Sequence, residues 1–159
     1  LDRFMFLINV DYPSRHEEID IARTTTGGDL PALDTIIQAD DVLRFQQLVR
    51  RVPVPQHIYE FAVDLVRRTR PSIEESPEWL QPLVSWGAGP RAVQYLILGA
   101  RSRAALTGSY MARLEDVLAV ARPVLTHRVL TTFAAESEGI SSTDVIQRLV
   151  DELQAELNA

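Results

Sequence analysis

The stretch "WGAGPRAVQYLILGARSRAAL" (86–106) decides the fold of this chain, because it joins a helix start to a long apolar stripe. Gly87 and Gly89 permit a sharp, close-approaching backbone, and Pro90 suits the first position of a helix. The apolar residues that follow recur at helical spacing on one face. They are Val93, Leu96, Ile97, Ala100 and Ala104. The stretch therefore predicts a helix that begins near Pro90 and buries one face.

Apolar residues at the same spacing lie on both sides of this stretch, and together they predict a helix bundle. They are Val42, Phe45, Val49 and Val52; Ile58, Phe61, Ala62 and Leu65; Val117, Ala121, Val124 and Leu125; and Ile146, Leu149, Val150, Leu153 and Leu157. Ser14 with Glu17 predicts the capped start of a short early helix, and Ser141 with Asp144 that of the last one. Pro123 is expected to break or kink its helix. The connection "TTTGGDLPALD" (24–34) is the predicted hinge.

Residues Phe4 to Val10 are apolar except for Asn9, a pattern typical of a strand buried on both faces of a sheet. Nothing later in the sequence resembles a comparable strand, and a lone strand leaves its backbone groups unpaired. We therefore expect its partner strands to lie outside this sequence. We also expect the segment to pack against the helices or against another chain.

Composition and motifs exclude several classes of function. The 159 residues carry 16 basic and 22 acidic side chains, so the net charge of −6 repels nucleic acid, and the absence of cysteine excludes disulfides and thiolate metal sites. His16, His57 and His127 lack partners at metal-binding spacing, and no phosphate-binding loop or nucleophile elbow occurs. No apolar run long enough to span a membrane and no export signal is encoded. The chain by itself contains no complete catalytic site and no predicted metal site.

Arg91 stands out because it falls in the first turn of the predicted helix. A cation there is misplaced by roughly 0.3–1 kcal/mol unless an anion neutralises it, since a helix N-terminus carries partial positive charge. A guanidinium beside free backbone N–H groups makes a plausible phosphate site. Two alternatives remain open, namely an ion pair with a carboxylate and stacking of the guanidinium on Trp86.

An ordered series of motifs resembles the C-terminal portion of a MoxR-family AAA+ ATPase. The series is "LDRF" (1–4), "YPS" (12–14), "VRRVPVPQHIYEFAVDLVRRTR" (49–70), "WGAGPRAVQYLILGARSRAALTGSYMARLEDV" (86–117) and "PVLTHRV" (123–129). The resemblance implies that Arg91 is the sensor 2 residue, which reaches from a helical lid to the γ-phosphate of ATP, with Gly89 and Pro90 beside it. Gly89 departs from the serine that is usual in the family, which removes a helix-capping hydroxyl.

The same resemblance implies that Arg3, within "LDRF", is an arginine finger that projects into the ATP site of a neighbouring subunit. Stabilising the charge that develops on a transferring phosphoryl group is chemistry suited to a guanidinium. Without the resemblance, Arg3 is an ordinary surface arginine beside Asp2. The implied cofactors are ATP and Mg²⁺, and the implied partners are a homo-oligomeric, hexameric ring and a protein with a von Willebrand factor A domain.

The resemblance implies a mainly α fold in three parts. Residues 1–34 are the end of an α/β nucleotide-binding core with one strand and one helix, 35–130 are the helical lid, and 131–159 are a C-terminal helical extension. We expect an inactive fragment of a cytoplasmic, chaperone-like ATP hydrolase that lacks the Walker A and Walker B motifs. The alternative is a standalone helical adaptor or DNA-binding regulator, with the arginines of 49–70 as its reading surface. Salt-dependent binding of duplex DNA distinguishes the two.

Overall fold

The computed structural model describes residues 1–28 and 33–158, and helices dominate these ranges. The helices are α1 (Arg15–Thr26), α2 (Ala39–Arg51), α3 (Gln56–Arg68), α4 (Pro90–Leu106), α5 (Leu114–Leu125), α6 (Phe133–Ser137) and α7 (Ser142–Asn158). Two single 3₁₀ turns occupy Glu78–Leu80 and Thr126–Arg128. A short β1 (Val84–Trp86) pairs antiparallel with β2 (Leu130–Thr131). The predicted mainly α bundle is confirmed.

The core lies where α3, α4, α5 and α7 meet. Most of the apolar stripes predicted for these helices are buried in it: Ile58, Ala62, Leu65, Leu96, Ile97, Ala100, Val117, Ala121, Val124, Leu125, Ile146, Leu149, Val150 and Leu153. Because α7 shares this core with α5, the helix assigned to a C-terminal extension packs into the bundle. The three-part division of the chain stays a prediction.

The apolar side of α2 is largely open, although α2 packs against α4. Val42, Phe45 and Leu48 each remain about half exposed, and α2 contains no buried residue. The predicted stripe on α2 is therefore present but only partly covered within the described residues.

Both predicted capping pairs are confirmed. The backbone N–H of Ser14 donates to Glu17 over 2.7 Å, and the N–H of Glu17 donates back to the Ser14 hydroxyl. The same reciprocal pair joins Ser141 and Asp144 at the start of α7. These hydrogen bonds satisfy backbone donors that a helix start otherwise leaves without partners.

The strand predicted for residues 4–10 is wrong for this chain. The segment runs without strand pairing, because a strand is defined by its neighbours and the described residues supply none beside it. Its Leu7 N–H instead donates to the carbonyl of Pro123 over 2.8 Å. The expectation that the segment contacts the helices holds for the backbone of Phe4, Met5 and Leu7, whereas Ile8 and Val10 are largely exposed.

Pro123 does not break its helix, contrary to the prediction. It lies inside α5 in the last turn, and α5 ends two residues later at Leu125. Proline has no N–H, so one intrahelical hydrogen bond is missing, the one to the carbonyl of Ala119, and only two residues of α5 follow it. The predicted hinge at 24–34 begins at the end of α1 as expected, but residues 29–32 lie outside the described residues.

Candidate functional site

The loop that precedes α4 is clamped onto the end of α3. A Cβ atom on Gly87 would lie 2.4 Å from the Thr69 carbonyl oxygen and 2.7 Å from the Arg70 Cα, so only glycine fits there. The Ala88 N–H donates to the buried Thr69 hydroxyl over 2.9 Å, and Arg70 Nε donates to the Ala88 carbonyl over 2.9 Å. The close approach predicted for Gly87 is confirmed.

Gly89 has a different role from Gly87. It is the N-cap residue of α4 with extended backbone (φ −88°), and no atom lies within 4 Å of the position a Cβ would take. The close approach predicted for this glycine is therefore wrong, because any small residue fits. Pro90 occupies the first turn of α4 as predicted. A serine at position 89 would fit this backbone and could cap the helix.

Arg91 follows in the first turn of α4, with its side chain 46% exposed, and it has an anionic partner. Its Nη1 forms an ion pair with the Asp2 carboxylate, which is itself 51% exposed. In the residues that the structure describes, arginines stack over Tyr95 and Trp79 but not over Trp86. Of the two alternatives left open by the sequence, the structure shows the carboxylate pair.

Arg128 is the site residue that sequence reasoning missed. Its side chain is 1% exposed, its Nε lies 3.3 Å from the second Asp2 oxygen, and its guanidinium stacks over the Tyr95 ring at 4.9 Å. Burial lowers the pKa of Arg128 below its ordinary value, and the Asp2 carboxylate opposes that shift. The sequence feature that could have identified Arg128 is its position in "PVLTHRV", where a cation follows a helix whose apolar face is buried.

Two further residues of the helix bundle hold the backbone of the "LDRF" segment. The Tyr95 hydroxyl donates to the Arg3 carbonyl over 2.8 Å, and His127 Nε2 lies 3.0 Å from the Phe4 carbonyl oxygen. Burial lowers the pKa of His127, so the neutral ring with a proton on Nε2 suits this contact. Residues of α4 and of the turn that follows α5 thus bind the same short segment.

Arg3 lies in that segment with its side chain exposed. Its guanidinium forms no ion pair with the residues that the structure describes. Arg3 and Arg91 are therefore brought to one end of α4, since Tyr95 on α4 contacts the Arg3 backbone and Arg91 contacts Asp2. The proximity of these two arginines was not predicted from the sequence.

An open cleft of about 450 Å³ lies between the "LDRF" segment and the loop before α4. Asp2, Trp86, Gly89 and Arg128 line it, and Trp86 is 71% exposed. The β1–β2 pair places Trp86 there, because Trp86 faces Leu130 across the two strands. The described residues contain no group of three His, Asp or Glu side chains that could hold a metal ion. The chemistry available at this end of the bundle is anion binding by guanidinium groups.

Comparisons with known proteins agree with this architecture. Residues 78–149, which include α4, α5, α6 and the first half of α7, match the family described as the AAA lid domain. The chain is 34% identical over 149 residues to Chaperone MoxR1 of Mycobacterium tuberculosis and 27% identical over 151 residues to the uncharacterized protein YeaC of Bacillus subtilis. These alignments cover 94% of this chain but only 39% and 44% of the relatives.

A solved structure shows the same arrangement of helices. It is a crystal structure of a protein from Cytophaga hutchinsonii predicted to be an ATPase, with a TM-score of 0.84 and 26% sequence identity. The superposition covers 94% of this chain and 46% of that protein. The bundle is therefore a helical lid domain of the AAA+ class. Within that class the chain is a relative of the MoxR chaperones, as the order of its motifs predicted.

No helix among residues 1–28 and 33–158 has the length and apolar content needed to cross a membrane.

Proposed function

We propose that this lid serves a ring-forming, chaperone-like AAA+ ATP hydrolase of the MoxR type, in which Arg91 is the sensor 2 residue. The observation that carries the proposal is the placement of Arg91 at the N-terminus of α4, half exposed and paired with a half-exposed carboxylate. A phosphate group would find a guanidinium and the positive end of a helix at the same point. These residues fit the γ-phosphate of ATP.

The Asp2 partner does not compete strongly with a phosphate. Ion pairs between exposed side chains contribute about 0.2–1 kcal/mol, whereas charge-assisted hydrogen bonds contribute about 1.5–3 kcal/mol. Asp2 also keeps its contact with Arg128 when Arg91 leaves, so breaking the pair with Arg91 does not strand a charge. Arg91 is therefore free to exchange the carboxylate for a phosphate.

Gly89 and Pro90 form the rim of this proposed phosphate site. Pro90 has no backbone N–H, so the N–H groups of Gly89 and Arg91 are the ones available at the start of α4. The empty space beside Gly89 leaves room for a ligand to approach the backbone. Mg²⁺ is proposed only as a companion of ATP in the full-length ATPase, since the described lid residues offer it no cluster of ligands.

Arg3 is proposed as the arginine finger for the ATP site of a neighbouring subunit in a hexameric ring. Its exposed guanidinium on a firmly held backbone supports this role, because transition-state stabilisation requires a charge in a fixed position. The full-length ATPase is proposed to be cytoplasmic. It is further proposed to act with a von Willebrand factor A domain protein in the maturation or assembly of other proteins.

The test of Arg91 uses two substitutions in the full-length ATPase. Arg91→Ala should lower ATP hydrolysis by about ten- to hundredfold, since it removes a charge-assisted bond made to the triphosphate. Arg91→Lys should restore only part of the activity, because an ammonium lacks the forked geometry of a guanidinium. Thermal unfolding of the 159-residue chain should change by no more than about 1 kcal/mol in stability, since the pair with Asp2 is exposed.

Normal hydrolysis by Arg91→Ala would overturn the sensor role. A large loss of lid stability with normal hydrolysis would instead assign Arg91 to the fold. Duplex DNA binding by the chain, weakening steeply as salt rises, would favour a DNA-binding regulator over an ATPase lid.

The test of Arg3 is a mixing experiment. Rings of Arg3→Ala subunits should hydrolyse ATP only slowly, and rings of subunits that cannot bind ATP should be inactive. Mixed rings should regain hydrolysis, because subunits of the second kind supply an intact Arg3 to the ATP sites of the first. Failure of mixed rings to exceed either parent would refute action across the subunit interface.

A further inference from the structure

We propose that Arg128 is a positioning residue, which fixes the backbone of residues 2–5 and thereby aims the Arg3 side chain. This inference rests on the finger role proposed for Arg3. Arg128 itself lies at the end of the 3₁₀ turn that follows α5, more than 120 residues along the chain from its partners in residues 2–5. It links the bundle to the segment that carries Arg3.

The hydrogen bonds of Arg128 use the whole guanidinium. An arginine side chain has five N–H donors, and the structure gives each a partner. Nε faces the Asp2 carboxylate at 3.3 Å, and Nη2 donates to the carbonyls of Asp2, at 2.8 Å, and Phe4. Nη1 donates to the carbonyls of Met5, at 3.3 Å, and Val124. Arg128 has no donor left for a phosphate, which separates its role from that of Arg91.

The partners of Arg128 show what it holds. Three of its four backbone acceptors belong to residues 2–5, and Tyr95 takes the remaining carbonyl of that segment, at Arg3. Every carbonyl from residue 2 to residue 5 therefore accepts a hydrogen bond from the lid. The segment is held by its backbone, while Phe4 as a whole residue is 67% exposed. With the backbone fixed on one side, the Arg3 side chain is left facing solvent.

A role in the fold alone explains these contacts poorly. The hydrophobic core is built by α3, α4, α5 and α7, and residues 1–7 contribute no buried side chain to it. Burying a guanidinium is costly unless all its donors are satisfied. The buried guanidinium of Arg128 has one backbone partner on α5, at Val124, and its other three backbone partners lie in the exposed segment, which it therefore orders.

The first test measures hydrogen exchange in the 159-residue chain. The Leu7 N–H donates to Pro123, so its exchange reports whether the segment stays docked. Arg128→Met should speed exchange at Leu7 by about tenfold or more, while amides in the middle of α4 keep their protection. Arg128→Lys should give an intermediate rate, and Tyr95→Phe, which removes one bond to Arg3, a smaller increase.

The matched control is Arg44→Met, because Arg44 is an exposed arginine on α2 with one ion pair to Asp41. It should leave exchange at Leu7 unchanged. Unchanged exchange at Leu7 in folded Arg128→Met protein would overturn the proposal. If Arg128→Met does not fold, Arg128→Lys and Tyr95→Phe carry the same test, and unchanged exchange in both would overturn it.

The second test is a double-mutant cycle on ATP hydrolysis by the full-length ATPase. Arg128→Met should lower hydrolysis about tenfold or more when Arg3 is present. In an Arg3→Ala background the loss should be less than about twofold, because Arg128 affects hydrolysis only by placing the Arg3 guanidinium. Equal losses in both backgrounds would overturn positioning. Normal hydrolysis by Arg3→Ala would refute the proposed finger role, a failure that is distinct from unchanged exchange at Leu7.

Discussion

Gly87→Ala should destabilise the chain strongly, because its new methyl group meets backbone atoms that cannot move aside. The Cβ would stand 2.4 Å from the Thr69 carbonyl oxygen and 2.7 Å from the Arg70 Cα. Relieving that overlap requires the loop to lift off the end of α3. Two hydrogen bonds then weaken, one from Ala88 N–H to Thr69 and one from Arg70 to the Ala88 carbonyl.

The size of the effect follows from these two contributions. Overpacking of a tight site costs about 1–3 kcal/mol, and each intramolecular hydrogen bond contributes about 1 kcal/mol. A total near 3 kcal/mol corresponds to a fall in Tm of about 6–12 °C for a domain of this size. Thermal unfolding followed by circular dichroism measures it directly on the 159-residue chain.

Gly89→Ser is the matched control, two residues away in the same loop. A Cβ at position 89 meets no atom within 4 Å, and a serine suits the N-cap of α4. Its Tm should be unchanged or should rise by about 1–2 °C, since the serine adds a capping hydroxyl and restricts the unfolded chain. A Gly87→Ala protein with the same Tm as the unsubstituted chain would refute the reasoning about the clamp on α3.

Two further predictions concern the rest of the bundle. Burial lowers the pKa of His127, so the unfolded chain binds this proton more tightly and stability should fall as the pH drops below about 6.5. Thermal unfolding between about pH 7.5 and about pH 5 should show that fall, and His127→Gln should reduce it. Trp79 donates its indole N–H to Glu152 on α7 over 2.8 Å and lies under the Arg148 guanidinium. Trp79→Phe should therefore cost about 1–2 kcal/mol, and a chain of unchanged stability in urea unfolding would contradict this account of how α7 docks.

The helices could be predicted from the sequence because their signals are local. The spacing of Leu96, Ile97 and Ala100 and the capping pair of Ser141 with Asp144 each depend on residues within one or two turns. The position of Arg91 in the first turn of α4 was predicted for the same reason. Its partner Asp2 was not, since 89 residues separate the two and no local pattern links them.

Long-range contacts also explain the failed strand prediction and the features that the sequence did not reveal. The strand expected at Phe4 to Val10 needs neighbouring strands, and the buried position of Arg128 depends on contacts with the other end of the chain. The β1–β2 pair has only two or three residues in each strand, too few for a recognisable alternation. The close approach of the backbone at Gly87 could be predicted from the sequence. That Gly89 makes no such approach depends on where the end of α3 lies, which the sequence does not show.

The lid binds the "LDRF" segment through its backbone, so the side chain at position 3 can be replaced and chemically labelled. Tyr95 and Arg128 contact carbonyl oxygens, which every amino acid carries, so the placement of the loop does not depend on which side chain stands at residue 3. The natural chain contains no cysteine. A cysteine in place of Arg3 would therefore be the sole thiol of that variant. A fluorescent or spin label attached to it would leave the backbone contacts of the segment unchanged. The distance from that label to a second one on α7 would report the movement of this loop directly.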